Sequence, residues 1–151
     1  MKTPARRRRN GQTGVMLLEA LVAILVFALG VLAVVGLQTV SIKQSSDAKY
    51  RADAVLLANE LIGQMWVTDR SFATLNGQFT PGGAAYQAWL DRITNNNILP
   101  GVADNPPDVQ VATVGAAVPP SNRVTVTLSW KAPNEPAGDP VRSVTVVAEM
   151  K

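Results

Sequence analysis

One acidic side chain stands at the entrance of an otherwise apolar stretch of the sequence. Glu19 is followed by eighteen residues, 20–37, none of which has a polar side chain. A charged carboxylate in the apolar layer of a membrane costs roughly 2.5–3.5 kcal/mol, so such residues are rare and usually functional. The chemistry open to Glu19 is pairing with a cation inside an assembly. The alternative is that its side chain reaches the headgroup layer near the start of the helix.

Other kinds of site chemistry have little support in the sequence. The 151 residues include no cysteine and no histidine, which excludes disulfides, cysteine nucleophiles, His-based triads and the commonest zinc ligands. Gly82 and Gly83 lack the lysine and the strand–helix context of a phosphate-binding loop. Residues 104–108 lack the full oxygen-ligand spacing of a known calcium loop. We therefore predict no enzyme activity, no cofactor and no metal site.

The element that positions Glu19 is predicted to be a membrane-inserted helix. Eighteen residues at about 1.5 Å rise extend roughly 27 Å, close to the hydrocarbon thickness of a bilayer. A buried core helix of this length would normally show a polar stripe, and residues 20–37 show none. We expect the helix to contact membrane lipid.

The basic residues at the N-terminus predict the orientation of this helix. Five of the 14 basic side chains precede the apolar stretch: Lys2, Arg6, Arg7, Arg8 and Arg9. Positive residues stay cytoplasmic, so the rest of the chain is expected on the periplasmic side. Residues 15–151 hold nine basic and 11 acidic side chains, so the domain lacks the positive excess that nucleic-acid binding requires.

Three ordinary targeting signals explain the N-terminus incompletely. A secretory signal peptide could be cut near residues 28–30, but apolar sequence continues past that point. Twin-arginine export is suggested only by the arginine run and meets the same objection. A plain signal anchor explains the basic flank and the span, yet leaves Gly14 and Glu19 without a role.

Residues 14–19, Gly-Val-Met-Leu-Leu-Glu, resemble the cleavage and methylation motif of type IV prepilins. In that family a short basic leader ends in glycine, a hydrophobic residue follows, and glutamate is the fifth residue of the mature chain. Val15 and Met16 depart from the commoner residues at their positions. The resemblance implies that a prepilin peptidase cuts after Gly14 and methylates the new amine of Val15. It also implies that Glu19 meets the N-terminal amine of a neighbouring subunit.

Residues 36–38 and 56–61 look like the PilV type of minor pilin. That resemblance implies a subunit that helps to start pilus assembly at the bacterial inner membrane and then lies at the pilus tip. The implied partners are other minor pilins, the major pilin, the inner-membrane assembly platform and a tip adhesin. Two rival functions stay open: a minor pseudopilin of a type II secretion system, and a membrane-anchored periplasmic binding domain.

The predicted domain organisation follows from this resemblance. It comprises a leader peptide at residues 1–14, a transmembrane and filament-core helix at 15–37, and a periplasmic pilin domain at 38–151. Gly30 and Gly36 weaken the helix by up to about 1 kcal/mol each relative to alanine. Because many pilins have proline at the position of Gly36, we expect this region to loosen during assembly. Close helix packing through these small residues is the alternative.

The remaining sequence predicts an α+β fold, in which the long N-terminal helix packs on a small antiparallel sheet as in the pilin roll. Apolar residues recur at three- and four-residue spacing to about Val67, which extends the helix beyond the membrane. A loop region is expected at 68–108, interrupted by a short helix at 84–94. Alternating valine and threonine predict strands at 109–114, 123–131 and 142–149.

Overall fold

The computed structural model describes residues 13–115, 120–133, 135 and 138–151. Three helices precede three strands: α1 (Thr13–Trp66), α2 (Phe72–Phe79), α3 (Ala84–Asn95), β1 (Asp108–Val114), β2 (Ser121–Trp130) and β3 (Arg142–Met150). The fold is α+β, as predicted: a long N-terminal helix packs on a small three-stranded antiparallel sheet. The likeness to the pilin roll stays a prediction.

The chain divides into two compact units, 1–43 and 44–151. The sequence placed the end of the membrane helix at residue 37. The predicted boundary is one between lipid and water, which is a different property from the division into compact units, so it stays a prediction. The leader predicted at 1–14 falls almost entirely outside the described residues, and the basic run falls wholly outside them.

In the first unit, α1 is an apolar helix whose side chains are exposed along its length. Its most apolar 18-residue window has a mean hydropathy of 3.0, and none of that window is buried. Within the described part of the chain, this is the one helix long and apolar enough to cross a membrane. The helix continues through Gly30 and Gly36 without a break. The loosening expected there stays a prediction.

In the second unit, α1 is amphipathic, as its residue spacing predicted. One side of the helix contributes to the core the side chains Ala54, Leu57, Ala58, Leu61, Ile62 and Met65. Trp66, which lies within the range of the predicted apolar spacing, is instead 46% exposed. The Arg70 guanidinium lies over its ring, 5.7 Å from the ring centroid.

Helix α2 corrects the sequence prediction, which assigned residues 68–83 to a loop. The pair Asn76-Gly77 is typical of turns, yet it lies inside the helix. Ser71 is the N-cap, and its hydroxyl oxygen accepts a hydrogen bond from the backbone N–H three residues later at 3.4 Å. Leu75 and Phe79, one turn apart, are both buried. Packing of this apolar face therefore outweighs the local preference for a turn.

Helix α3 matches the predicted short helix to within one residue at its end. Tyr86, Trp89 and Ile93 are buried on one face, as their spacing indicated. The Tyr86 hydroxyl donates a hydrogen bond of 2.6 Å to the carbonyl oxygen of Pro107. This bond fixes α3 to the segment that leads into β1.

The sheet has the order β1-β2-β3, and both strand pairs are antiparallel. The three strands lie where they were predicted, with ends that differ by no more than two residues. On the central strand, Val126 pairs with Val109 on one side and with Val146 on the other. The predicted alternation is confirmed, because Val124, Val126, Leu128 and Trp130 are buried while the threonines between them are more exposed.

Candidate functional site

The first candidate site lies at the start of α1, around Glu19. Val15 and Glu19 are four residues apart on one helix, which separates them by about 6 Å along the axis. Together with Leu18, Val22 and Ala23 they line one shallow groove on the helix surface. The structure thus brings the predicted methylated residue and the predicted assembly carboxylate to the same face.

Glu19 lies on this face as an exposed carboxylate. Among the residues that the structure describes, none forms an ion pair or a hydrogen bond with its side chain. Its neighbours in the groove are apolar, and Val15 and Leu18 are 68% and 65% exposed. A new amine at Val15 would introduce a cation one helical turn away.

Gly14 lies in the first turn of α1, where backbone N–H groups have no partner inside the helix. A Cβ atom built on Gly14 meets nothing within 4 Å, and the same holds for Gly30 and Gly36. A side chain at any of the three positions is therefore tolerated by the folded chain. A requirement for glycine at one of them would have to come from a partner that approaches the backbone closely.

The second candidate site is a cleft of about 540 Å³ in the second unit. Helix α1 contributes Asp47, Ala48 and Arg51, and the adjoining ends of β2 and β3 contribute Trp130, Arg142 and Ser143. Because Trp130 and Arg142 are paired residues of the sheet, the cleft lies where the two strands are joined. We call this group of six residues the strand-end cleft.

Arg142 connects the helix to the sheet at the strand-end cleft. Its Nη2 lies 3.2 Å from the Asp47 Oδ2 atom, and its Nη1 donates a 2.8 Å hydrogen bond to the Glu135 Oε2 atom. The hydrogen bond to Glu135 raises the pKa of Arg142, and the charge of Asp47 adds to that rise. The guanidinium therefore remains charged and serves as a fixed cross-link between two carboxylates.

Three groups of this cleft have unused bonding capacity. The indole Nε1 of Trp130 and the Oδ1 atom of Asp47 are buried, and neither has a hydrogen-bond partner among the residues that the structure describes. Arg51 forms no ion pair within the described ranges. A ligand with a hydrogen-bond acceptor, a donor and a negative charge would satisfy all three groups.

Sequence reasoning did not find the strand-end cleft. Trp130 belongs to the buried core, with an exposed fraction of 2%. The one available signal was Arg142, a charged residue at an inward position of an alternating strand. Asp47 and Arg51 meet Arg142 only through the tertiary fold, and no local pattern joins them.

The segment considered for calcium, residues 104–108, overlaps a turn and leads into β1. Residues 101–105 form a turn, in which the backbone N–H and the side-chain amide of Asn105 both donate to the Gly101 carbonyl oxygen, each at 3.1 Å. Within residues 13–115, 120–133, 135 and 138–151, no group of three acidic side chains is placed to hold a metal ion.

Comparison with known proteins identifies no relative of this chain. No protein-family model, no curated protein and no solved structure matches the chain. Its function is therefore argued from its own residues, above all from Glu19 and the apolar helix that bears it.

Proposed function

We propose that this chain is a minor prepilin, which becomes a subunit of a type IV pilus after its leader is removed. The observation that carries the proposal is the carboxylate of Glu19, which has no ion pair with any described residue and lies on one face with Val15 at the start of an exposed apolar helix. In this proposal the peptidase cuts between Gly14 and Val15 and methylates the Val15 amine. The mature chain then has one cation and one anion at the start of α1.

The energetics of Glu19 favour assembly over the isolated state. In an isolated subunit, the carboxylate near the apolar layer has a desolvation cost and no compensating cation. In a bundle of parallel helices, Glu19 of one subunit lies beside the Val15 amine of its neighbour. An ion pair of this kind contributes more to register than to stability, because its attraction largely offsets the cost of desolvation.

The exposed apolar side chains of α1 support the same proposal. Phe27 and Leu37 are 72% and 71% exposed, and the valines and leucines between them are 46–68% exposed. Burial of such surface is worth about 25 cal/mol per Å², so lipid or neighbouring helices must cover it. We infer that membrane lipid covers the helix first and other pilins cover it later. The unit 44–151, which we call the head, then lies in the periplasm and afterwards at the pilus tip.

The test is co-expression of the full chain with a prepilin peptidase, followed by N-terminal sequencing and mass measurement. We expect a mature chain that begins with a methylated Val15. A chain that retains residues 1–14 would contradict the proposal and would leave a plain membrane anchor. Gly14→Val should block cleavage, whereas Gly30→Val should not, although both side chains enter open space in the folded chain.

A second experiment separates the pilus from the related secretion system. Deletion of the gene from its native host should abolish surface pili and leave protein secretion unchanged. Loss of secretion with intact pili would assign the chain to the pseudopilins of a type II system instead. Cleavage after Gly14 is expected in both cases, so only the deletion discriminates between them.

A further inference from the structure

The β3 strand is an open edge of the sheet. It pairs with β2 on one side only. No backbone hydrogen bond joins residues 142–150 to any described residue outside β2. Alternate N–H and C=O groups of this nine-residue strand therefore face away from the sheet without a partner in the described chain.

Natural proteins usually protect such an edge with proline, with inward-pointing charges or with a short strand. β3 has none of these along its middle, and its inner face presents Val144, Val146 and Ala148. These three are only half-buried, although their paired residues on β2, which are Leu128, Val126 and Val124, are fully buried. The inner face is thus incompletely covered on the side of the free edge.

At the beginning of this edge, the strand-end cleft favours a negative charge on any segment that binds there. Arg142 and Ser143, the first two residues of β3, form part of its wall. Arg142 is already bonded to Asp47 and Glu135, whereas Arg51 has no ion pair in the described chain. A segment that extends along β3 would complement the cleft if it placed a carboxylate next to Arg51.

We propose that the β3 edge binds an extended segment of a second protein, which adds to the sheet as an antiparallel fourth strand. Apolar side chains of that segment would alternate to cover Val144, Val146 and Ala148. Because the strands run in opposite directions, its C-terminal end meets the strand-end cleft and bears an acidic residue for Arg51. Main-chain hydrogen bonds supply affinity and the acidic residue supplies register.

A second copy of this chain does not fit the edge, an inference that rests on the proposed membrane insertion. Antiparallel pairing of two β3 strands requires a two-fold axis perpendicular to the sheet. The helix residues 54–65 pack in a layer on that sheet, so such an axis reverses their direction in the second copy. Two copies whose helix residues 54–65 run in the same direction, as expected of neighbours in one bundle, cannot satisfy this arrangement.

The experiment uses the full chain in detergent micelles and two fluorescent eight-residue peptides with blocked ends. Both peptides alternate valine with threonine, and they differ only in their last residue, aspartate or lysine. We expect the aspartate peptide to bind about tenfold more tightly than the lysine peptide, as measured by anisotropy. Arg51→Glu should reverse this preference, whereas Arg70→Glu, the same change away from the cleft, should leave it intact.

Hydrogen–deuterium exchange of the complex locates the bound peptide. Protection should increase in β3 and remain unchanged in β1. Equal affinities for the two peptides, or protection outside β3, would overturn the proposal. Protection of β3 that rises with protein concentration in the absence of peptide would assign the edge to a second copy and would overturn it as well. The peptides are tested on purified chain, so failure here is separate from failure of leader cleavage.

Discussion

Under the proposed function, Glu19 is costly to the isolated chain and becomes favourable when assembly brings a cation to it. Its groove is otherwise lined by Val15, Leu18, Val22 and Ala23, so no neighbouring side chain of that face can neutralise it. A glutamine at this position would keep the shape and lose the charge. The physical content of the assembly proposal can therefore be tested by changes at this one residue.

We expect Glu19→Ala to insert into the membrane and to be cleaved, but to enter filaments poorly. The carboxylate disfavours insertion, so its removal leaves insertion intact, and the chain loses its charge pairing within the bundle. Its amount in sheared filaments should fall by about tenfold, which corresponds to about 1.4 kcal/mol of lost assembly energy. Val22→Ala, a neighbour in the same groove, is the matched control. Wild-type amounts of Glu19→Ala in the filaments would remove this role for the carboxylate.

The buried residue Tyr86 is expected to make the stability of the second unit depend on pH. Burial raises the pKa of its phenol, and the nearby charge of Asp108 adds to that rise. Because the folded-state pKa lies above the unfolded value of about 10, the folded chain holds the proton more tightly. This contribution is fully present below about pH 10 and is lost as the pH rises through the folded-state pKa.

Tyr86→Phe should therefore make unfolding less dependent on pH above about pH 10. At neutral pH the variant should be less stable by about 1–3 kcal/mol, because the buried Pro107 carbonyl loses its 2.6 Å hydrogen bond. Denaturant titrations at neutral and alkaline pH measure both effects, with Tyr50→Phe as the control. If the stability of the variant falls as steeply as that of the parent between those pH values, Tyr86 is not the source of the pH dependence.

At the scale of elements, the close approach of α2 and α3 depends on one glycine. A Cβ atom on Gly83 would collide with the backbone carbonyl group of Gln78. Gly63 is a useful contrast, because a Cβ atom there meets nothing within 4 Å and the residue lies inside α1. An alanine at Gly83 therefore tests the steric effect, and an alanine at Gly63 tests helix propensity alone.

We expect Gly83→Ala to destabilise the second unit by about 1–3 kcal/mol, since backbone must move to admit the methyl group. Gly63→Ala should instead stabilise it by up to about 1 kcal/mol, the difference in helix propensity. Thermal unfolding of both variants under identical conditions measures the contrast. A Gly83→Ala variant as stable as the parent would show that α2 and α3 are not held this closely.

Most elements could be predicted from the sequence because their signals are local. The alternation along β2 and the spacing of Tyr86, Trp89 and Ile93 each report one buried face within a few residues. Helix α2 was missed because Asn76-Gly77 is a strong turn signal, while its apolar face comprises only Leu75 and Phe79. Eight residues are too few for periodicity to outweigh such a pair.

The two candidate sites also differ in whether a local sequence pattern indicates them. The motif around Glu19 is contiguous in sequence, so its residue spacing alone placed Val15 and Glu19 on one helix face. The strand-end cleft is assembled from α1 and from the junction of β2 with β3. Asp47 and Arg142 come within 3.2 Å only after the sheet has formed on the helix. Local patterns carry no information about such a pair.

At the scale of the whole molecule, the apolar surface and the hydrophobic core belong to different units. Every fully buried hydrophobic residue of the described chain lies between Ala54 and Met150, within the unit 44–151. The first unit contributes exposed valines and leucines instead. The stability of the unit 44–151 should thus be independent of the exposed apolar segment.

We predict that a fragment of residues 44–151 folds as a soluble monomer without detergent. It retains the whole core, Tyr50 packed against that core, and the ion pair of Asp47 with Arg142. It should unfold cooperatively, with a free energy of unfolding within about 1 kcal/mol of the value for the head in the full chain. Circular dichroism during thermal and denaturant unfolding provides the measurement.

A shorter fragment, residues 53–151, is the matched comparison. It lacks Asp47 and Tyr50, so Arg142 loses one of its two carboxylate partners and the core loses part of its cover. We expect it to fold but to be less stable than 44–151 by about 1–2 kcal/mol, the usual effect of one lost packing or charge contact. If 44–151 itself shows no cooperative transition, the head depends on the membrane segment, and the division of roles between the two units is wrong.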